Sequence, residues 1–318
     1  MDSECNHNHR QRGMKATMKN VLVQSARDVY HNMKFIFLFW GTNAAFALLL
    51  TLPLYRLLNE NLNRSLIGSS LTHDFNYTWF LQFTNIFKNN VDELPYLIIA
   101  VTAIYTLIQT FYLGGLISVF HFPQKNHFSD FFYGSVKYWY RFLKVLLISI
   151  VLYVALFLLN NYLGEIISSV FSGKGNELAE IIFRSLRYLL LIFLIGIVTM
   201  ISDYTKVSLA LSDSEKVFRE IEKVLRLMKK NFYLIFSVFL LVALLGAFGS
   251  VIYNLLEALV PSEPVYFLIL AFVLQQMLVI FRLYIRMFFY STEVNIYKDV
   301  VADFAAVDFG EEEVEIKK

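Results

Sequence analysis

With 57% hydrophobic and 17% aromatic residues among 318, and only 17% charged, the chain is too apolar for a water-soluble domain, and its mean hydropathy of +0.53 points to lipid as its solvent. The net charge of +2 conceals a segregation of Lys and Arg along the chain, which argues for membrane topology and against nucleic-acid binding. A single cysteine excludes an intrachain disulfide.

Residues 1–18 are polar and predict a disordered cytoplasmic tail, with Met14 or Met18 as alternative starts. Its string Cys5, His7 and His9 lacks the fixed frame that a metal ligand set needs, so no metal is expected. The first apolar run begins at Phe35, is too long for a signal-peptide core and is followed by no small-x-small cleavage site. It therefore predicts a first transmembrane helix that also directs insertion.

Six uncharged runs follow along the chain: Phe35 to Tyr55, Leu94 to Phe120, Val145 to Gly164, Tyr188 to Ser202, Asn231 to Leu256 and Pro264 to Phe281. A hydrocarbon core of about 30 Å needs roughly 20 helical residues, and lipid leaves backbone amides no partner outside a helix. The fold class is thus all-α, a polytopic protein with spans at about 35–55, 94–120, 143–164, 183–203, 232–256 and 265–286, in a single transmembrane domain over 19–298. The fourth and sixth runs are short, so those spans carry charge near or inside the membrane. Residues 299–318 form an acidic cytoplasmic tail, disordered from Asp308 to Glu315.

Orientation follows from the basic residues. Twenty-two of the 28 Lys and Arg fall in the N-terminal segment, the second and fourth loops, and the end of the sixth span with the tail. The first, third and fifth loops hold Arg56, Arg64, Lys88, Lys174, Arg184 and Arg187. Positive charge stays inside, so both termini are expected in the cytoplasm.

Helical spacing of apolar residues precedes each odd span: Leu22, Ala26, Val29 and Met33; Phe128, Phe132, Trp139 and Phe142; Val217, Phe218, Ile221, Val224, Leu225 and Met228. These predict cytoplasmic amphipathic helices. Three repeated hairpin units, or the ordinary layout of a short-loop membrane protein, account for the pattern equally well. Their basic faces are expected at the bilayer interface, where an anionic lipid or a membrane-protein partner is the alternative to plain anchoring. Asn76 to Lys88, with Trp79, Phe80, Phe83, Ile86 and Phe87, predicts a further interfacial segment outside.

The sharpest chemical feature is on the sixth span. Gln275, Arg282, Arg286 and Glu293 are separated by 7, 4 and 7 residues and fall within about 20° of one line on a helix. Charges at such depth are costly and face protein or water. Asp203 lies 20 residues along the fourth span and Arg286 21 along the sixth, so Asp203 is expected to pair with Arg286 or Arg282. Gly114 and Gly115 at the matching point of the second span would leave room for long side chains. The cluster is either a static ion-pair latch or a site for an anionic substrate or lipid headgroup. Asn43, Thr102, Thr106 and Gln109 are expected in interhelical hydrogen bonds, and Gly246 and Ser250 with Ala243 and Ala247 in close helix packing.

No catalytic motif stands in the sequence. His121, His127 and His73 lack zincin spacing, and neither G-x-x-x-x-G-K-[ST] nor G-x-S-x-G occurs. No catalytic, cofactor-binding or metal-ligating residue is therefore assigned, and no cofactor is expected. The runs Ser25-Ala26-Arg27-Asp28-Val29, Thr51-Leu52-Pro53-Leu54 with Asn43, Asp203-Tyr204-Thr205-Lys206-Val207, and Leu274-Gln275-Gln276 through Arg282-Leu283-Tyr284-Ile285-Arg286 to Phe289-Tyr290 resemble an uncharacterised family of bacterial six-helix inner-membrane proteins. More loosely, the layout is similar to the membrane domain fused to some glycerophosphodiester phosphodiesterases, without their soluble catalytic domain. The resemblance implies a bacterial plasma membrane and nothing about activity. The reading is a non-enzymatic scaffold or accessory component, with a transporter or lipid/anion-binding permease as the alternative.

Overall fold

The computed structural model describes residues 18–62, 77–122, 124, 127–171, 177–261 and 265–315. The expected disordered tail, with Cys5, His7 and His9, lies outside them up to Met18. Among the described residues there are eight helices and no strand: α1 (18–31), α2 (Lys34–Leu62), α3 (Tyr77–Ile86), α4 (Lys88–His121), α5 (Phe128–Phe171), α6 (Glu177–Leu211), α7 (Val217–Ala258) and α8 (Val265–Glu315). Six of these, α2 and α4 to α8, are long and apolar enough to cross a membrane. The chain is a multi-pass helical membrane protein.

Several helices run further than the charge pattern predicts. The amphipathic segment before the third span is not separate: α5 is one helix of 44 residues, about 66 Å, more than twice the hydrocarbon thickness. Tyr138 to Lys144 contains no Pro or Gly, so nothing breaks the helix where polarity changes. The segment before the fifth span is continuous with it in α7 except for a kink at Asn231 (φ −118°, ψ 27°). There the Asn231 side chain donates back to the Leu227 carbonyl at 3.4 Å, the local competition that bends helices. Of the three segments only α1 is a helix of its own, ended by a turn at Asn32 and Met33.

Nor do charges end the fourth and sixth spans. α6 has 35 residues and passes through Arg184, Arg187, Asp203 and Lys206; α8 has 51 and continues to Glu315. The acidic tail is thus helical where disorder was expected. Its Ala and Glu residues are strong helix formers, and no Pro interrupts them.

Contacts divide the chain into two compact units. Unit 1 comprises Met1–Val29, Thr110–Val242 and Met287–Lys318; unit 2 comprises Tyr30–Gln109 and Ala243–Arg286.

Within unit 1, α5 and α6 form an antiparallel hairpin whose register is fixed by polar and aromatic rungs. Ser149 donates to Ser202 at 2.9 Å, Tyr153 and Thr199 share a 2.9 Å bond, and the Phe171 and Phe183 rings meet at 5.5 Å. Ser149 to Phe171 covers about 33 Å, enough to cross the hydrocarbon core. At the other end of α5 the close neighbour is α4. A Cβ on Gly114 would meet the Gly134 carbonyl at 3.1 Å, and one on Gly115 would meet the Phe131 carbonyl at 2.6 Å. The room expected at these two glycines for long side chains is therefore taken by the α5 backbone. Small residues at a helix crossing permit this approach, and dispersion and weak hydrogen bonds hold it.

The core of unit 1 concentrates on particular stretches of its helices. Phe131, Phe142 and Val145 of α5, Leu116, Ile117 and Phe120 of α4, Met200, Tyr204 and Val207 of α6, Val224 and Ile235 of α7, and Met287 and Ile296 of α8 are all buried. In α5 this stretch includes Lys137, Arg141 and Lys144, charges that hydrocarbon would exclude.

In unit 2 few side chains are buried, among them Phe35, Ile36, Phe39 and Val101. The interhelical bonds expected of Asn43 are present: Tyr105 of α4 donates its hydroxyl to Asn43 of α2 and packs edge-on against Phe46. Thr106 instead bonds back to Thr102 within its own helix. α7 and α8 approach at Gly246, where a Cβ would stand 3.3 Å from Ile285, and more tightly at Gly249, where a Cβ would overlap the Phe281 ring. The segment expected at the outer interface forms the helix α3, with the Trp79 and Phe83 rings stacked at 5.1 Å and the Phe83 and Phe87 rings tilted at 5.0 Å.

Candidate functional site

Tyr204–Ala210 of α6 and Ser291–Tyr297 of α8 are each buried over seven consecutive residues, on every face. A helix buried all round is ordinarily apolar all round. These two stretches instead carry Thr205, Lys206, Ser208, Ser291, Thr292, Glu293 and Asn295. Sealed polar groups require partners: Ser208, Ser291 and Asn295 find them on neighbouring helices of unit 1, whereas Thr205, Lys206 and Thr292 bond within their own helix.

Asp28 of α1 accepts from Asn295 Nδ2 at 3.0 Å and from Ser291 Oγ at 3.3 Å, while Asn295 also donates to Ser25 at 2.9 Å. Ser208 of α6 donates to the Glu220 carboxylate of α7 and shares a 2.7 Å bond with the Tyr297 hydroxyl of α8. Lys298 Nζ donates to the carbonyls of Phe120 and His121 at 3.1 and 3.3 Å, closing the C-terminus of α4 where unpaired carbonyls and the helix dipole favour a cation.

The predicted cluster falls across both units. In unit 1, Asp203 forms its ion pair with Lys206 at 2.9 Å, one turn along its own helix. Lys206, counted with a loop by its charge, is inside α6 and buried. Glu293 is 2% exposed, close enough to Asp203 and Lys206 to feel both charges, and neither carboxylate oxygen has a hydrogen-bond partner.

In unit 2, Arg286 donates Nη1 to Gln109 Oε1 at 2.9 Å. Gln275 and Arg282 are exposed; their neighbour Gln276 accepts from Trp40 Nε1 at 2.9 Å. The stripe is straight on the helix, but its surroundings change from open to sealed along its length.

Sequence reasoning passed over Ser25, Asp28, Lys206, Ser208, Glu220, Ser291, Asn295, Tyr297 and Lys298. Asp28 and Lys206 stood in runs that carry the family resemblance. Ser208, Glu220 and Asn295 gave no comparable signal, because their spacing matches that of ordinary solvent-facing residues.

A further ionic contact ties α5 to the turn after α6. Asp213 receives Lys137 Nζ at 2.8 Å and Arg141 Nη1 at 2.6 Å, and these hydrogen bonds hold its carboxyl below the usual range. Its φ of 50° lies in the left-handed region, which Asp and Asn tolerate better than most residues.

Among the described residues no group of three or more His, Cys, Asp or Glu is arranged to hold a metal. Comparison with protein-family models, with curated proteins and with solved structures finds no match for this chain.

Proposed function

We propose that this protein is a non-enzymatic scaffold or accessory component of a bacterial inner membrane, with both termini in the cytoplasm. One observation carries the reading: Ser25 of α1, Ser208 of α6, Glu220 of α7 and Asn295 and Tyr297 of α8 are buried within unit 1 and bonded to one another across those helices. A permease keeps polar groups open toward a substrate, whereas groups that satisfy each other order helices. The inside-positive distribution of Lys and Arg supports the orientation.

A scaffold needs a surface for its partner. Ile182, Leu186, Leu189 and Phe193 follow each other at helical spacing on α6 and are all exposed. A photo-crosslinking amino acid at Leu189, activated in intact membranes, should give a discrete protein adduct. Adducts with lipid alone would count against a scaffold.

The alternative, an anion- or lipid-binding permease, draws support from Arg282, a basic side chain exposed on α8 in unit 2. Proteoliposomes separate the two. A permease gives anion flux that falls in Arg282→Ala, and a scaffold gives none in either form.

A further inference from the structure

Arg187 stands on α6 about one turn inside the Phe171 and Phe183 contact that marks the loop end of the α5 and α6 hairpin. Its Nη1 occupies the place where a Cβ on Gly164 of α5 would stand. The absent side chain makes a notch, and the guanidinium fills it.

The group is held but poorly satisfied. Its one hydrogen bond among the described residues is a long contact, 3.4 Å from Nη1 to the Asn160 carbonyl. Nε is buried with no partner, as is Oδ1 of Asn160, itself 7% exposed. The neighbouring Arg184 differs: it is paired with Glu180 and reaches Ser168 at 3.4 Å. Arg187 has no carboxylate partner among the described residues, and Glu165, one residue beyond Gly164, is exposed.

Its surroundings identify the level. Tyr162 and Tyr188 are exposed at 62% and 52%, and Tyr188 lies beneath the guanidinium at 4.5 Å from its ring centroid. Exposed tyrosines beside a basic residue at the end of an apolar span mark the headgroup boundary of a bilayer. An arginine there lies within reach of lipid phosphates, and its planar fork matches two phosphate oxygens.

We propose that Arg187, seated on Gly164 and Asn160, binds the phosphodiester of a phospholipid in the leaflet nearest Phe171 and Phe183. The guanidinium supplies the charge and the fork; the two tyrosines flank the upper acyl chains. This site is independent of the scaffold reading, since a lipid can occupy it whatever the protein assembles with.

The test is native mass spectrometry of the full chain released from lipid nanodiscs. Wild type should retain phospholipid, and Arg187→Gln should lower that retention about tenfold, the loss expected for a charge-assisted hydrogen bond. Arg187→Lys, which keeps charge without the fork, should fall between them. Gly164→Leu, which displaces the guanidinium and changes no charge, should also release lipid, and Arg184→Gln should not. Diacylglycerol, which lacks phosphate, should not replace phospholipid, and inorganic phosphate should not displace it.

Equal retention by wild type and Arg187→Gln would overturn the proposal, as would retention of diacylglycerol or displacement by inorganic phosphate. So would a wild type that retains no lipid, the result expected if Arg187 and Asn160 turn to satisfy each other. The wild-type arms decide the matter even for a variant that does not fold.

Discussion

Asn295 of α8 donates its side-chain amide to the Asp28 carboxylate of α1 across 3.0 Å, although 267 residues separate them in the chain. The bond joins α1 to α8 within unit 1. It is charge-assisted and its Asn295 end is buried, so removing the Asp28 carboxylate takes from that amide one of its acceptors where water has little access.

Asp28→Ala should therefore lower stability in detergent by about 1–3 kcal/mol. Combined with Asn295→Ala, the loss should be less than additive by at least about 0.5 kcal/mol, measured by thermal or denaturant unfolding. Strict additivity would mean that the two side chains do not interact.

Glu293→Gln keeps the shape of the side chain and replaces a buried carboxyl that lacks a hydrogen-bond partner with a group that never carries charge. It should leave the melting temperature unchanged or raise it, because an uncompensated buried charge is destabilising. A clear fall would show that the carboxylate is stabilised by a partner such as a bound cation.

The Asp213 contact predicts a pH dependence of definite sign. Its carboxyl is lowered on folding by hydrogen bonds from Lys137 and then Arg141, so its contribution is present above the unfolded value and is lost as pH falls through the folded one. Between pH about 5 and about 3, wild type should lose more thermal stability than Asp213→Asn, which keeps a residue suited to the left-handed backbone. The site is exposed, so high salt should shrink the difference. Identical pH profiles would remove the ion pair from the account.

Two glycines distinguish tight from open helix faces. Gly115→Leu should destabilise by about 1–3 kcal/mol or more, because the α5 backbone and Ser135 occupy the space. Gly41 has nothing within 4 Å, so Gly41→Ala should be neutral or stabilising by up to about 1 kcal/mol through helix propensity. A similar response at both positions would contradict the close approach of α4 and α5.

Hydropathy by itself determined the six apolar helices and their number, because the requirement for a long apolar helical span is local and each span states it separately. The helix ends were less legible. A basic residue marks a change of solvent and leaves helical geometry intact, which is why α5 passes through Lys137, Arg141 and Lys144 and α6 through Arg187 and Lys206.

Only the tertiary structure decided which polar groups meet. On the helical line of α8, Arg282 and Glu293 differ by about 20° or less, yet one is exposed and the other sealed. That difference is set by the helices packed around each point, and no periodicity within one helix carries it. The same holds for Asp28 and Asn295, whose pairing depends on the approach of α1 to α8, and for Gly164, whose role becomes visible once Arg187 is placed against it.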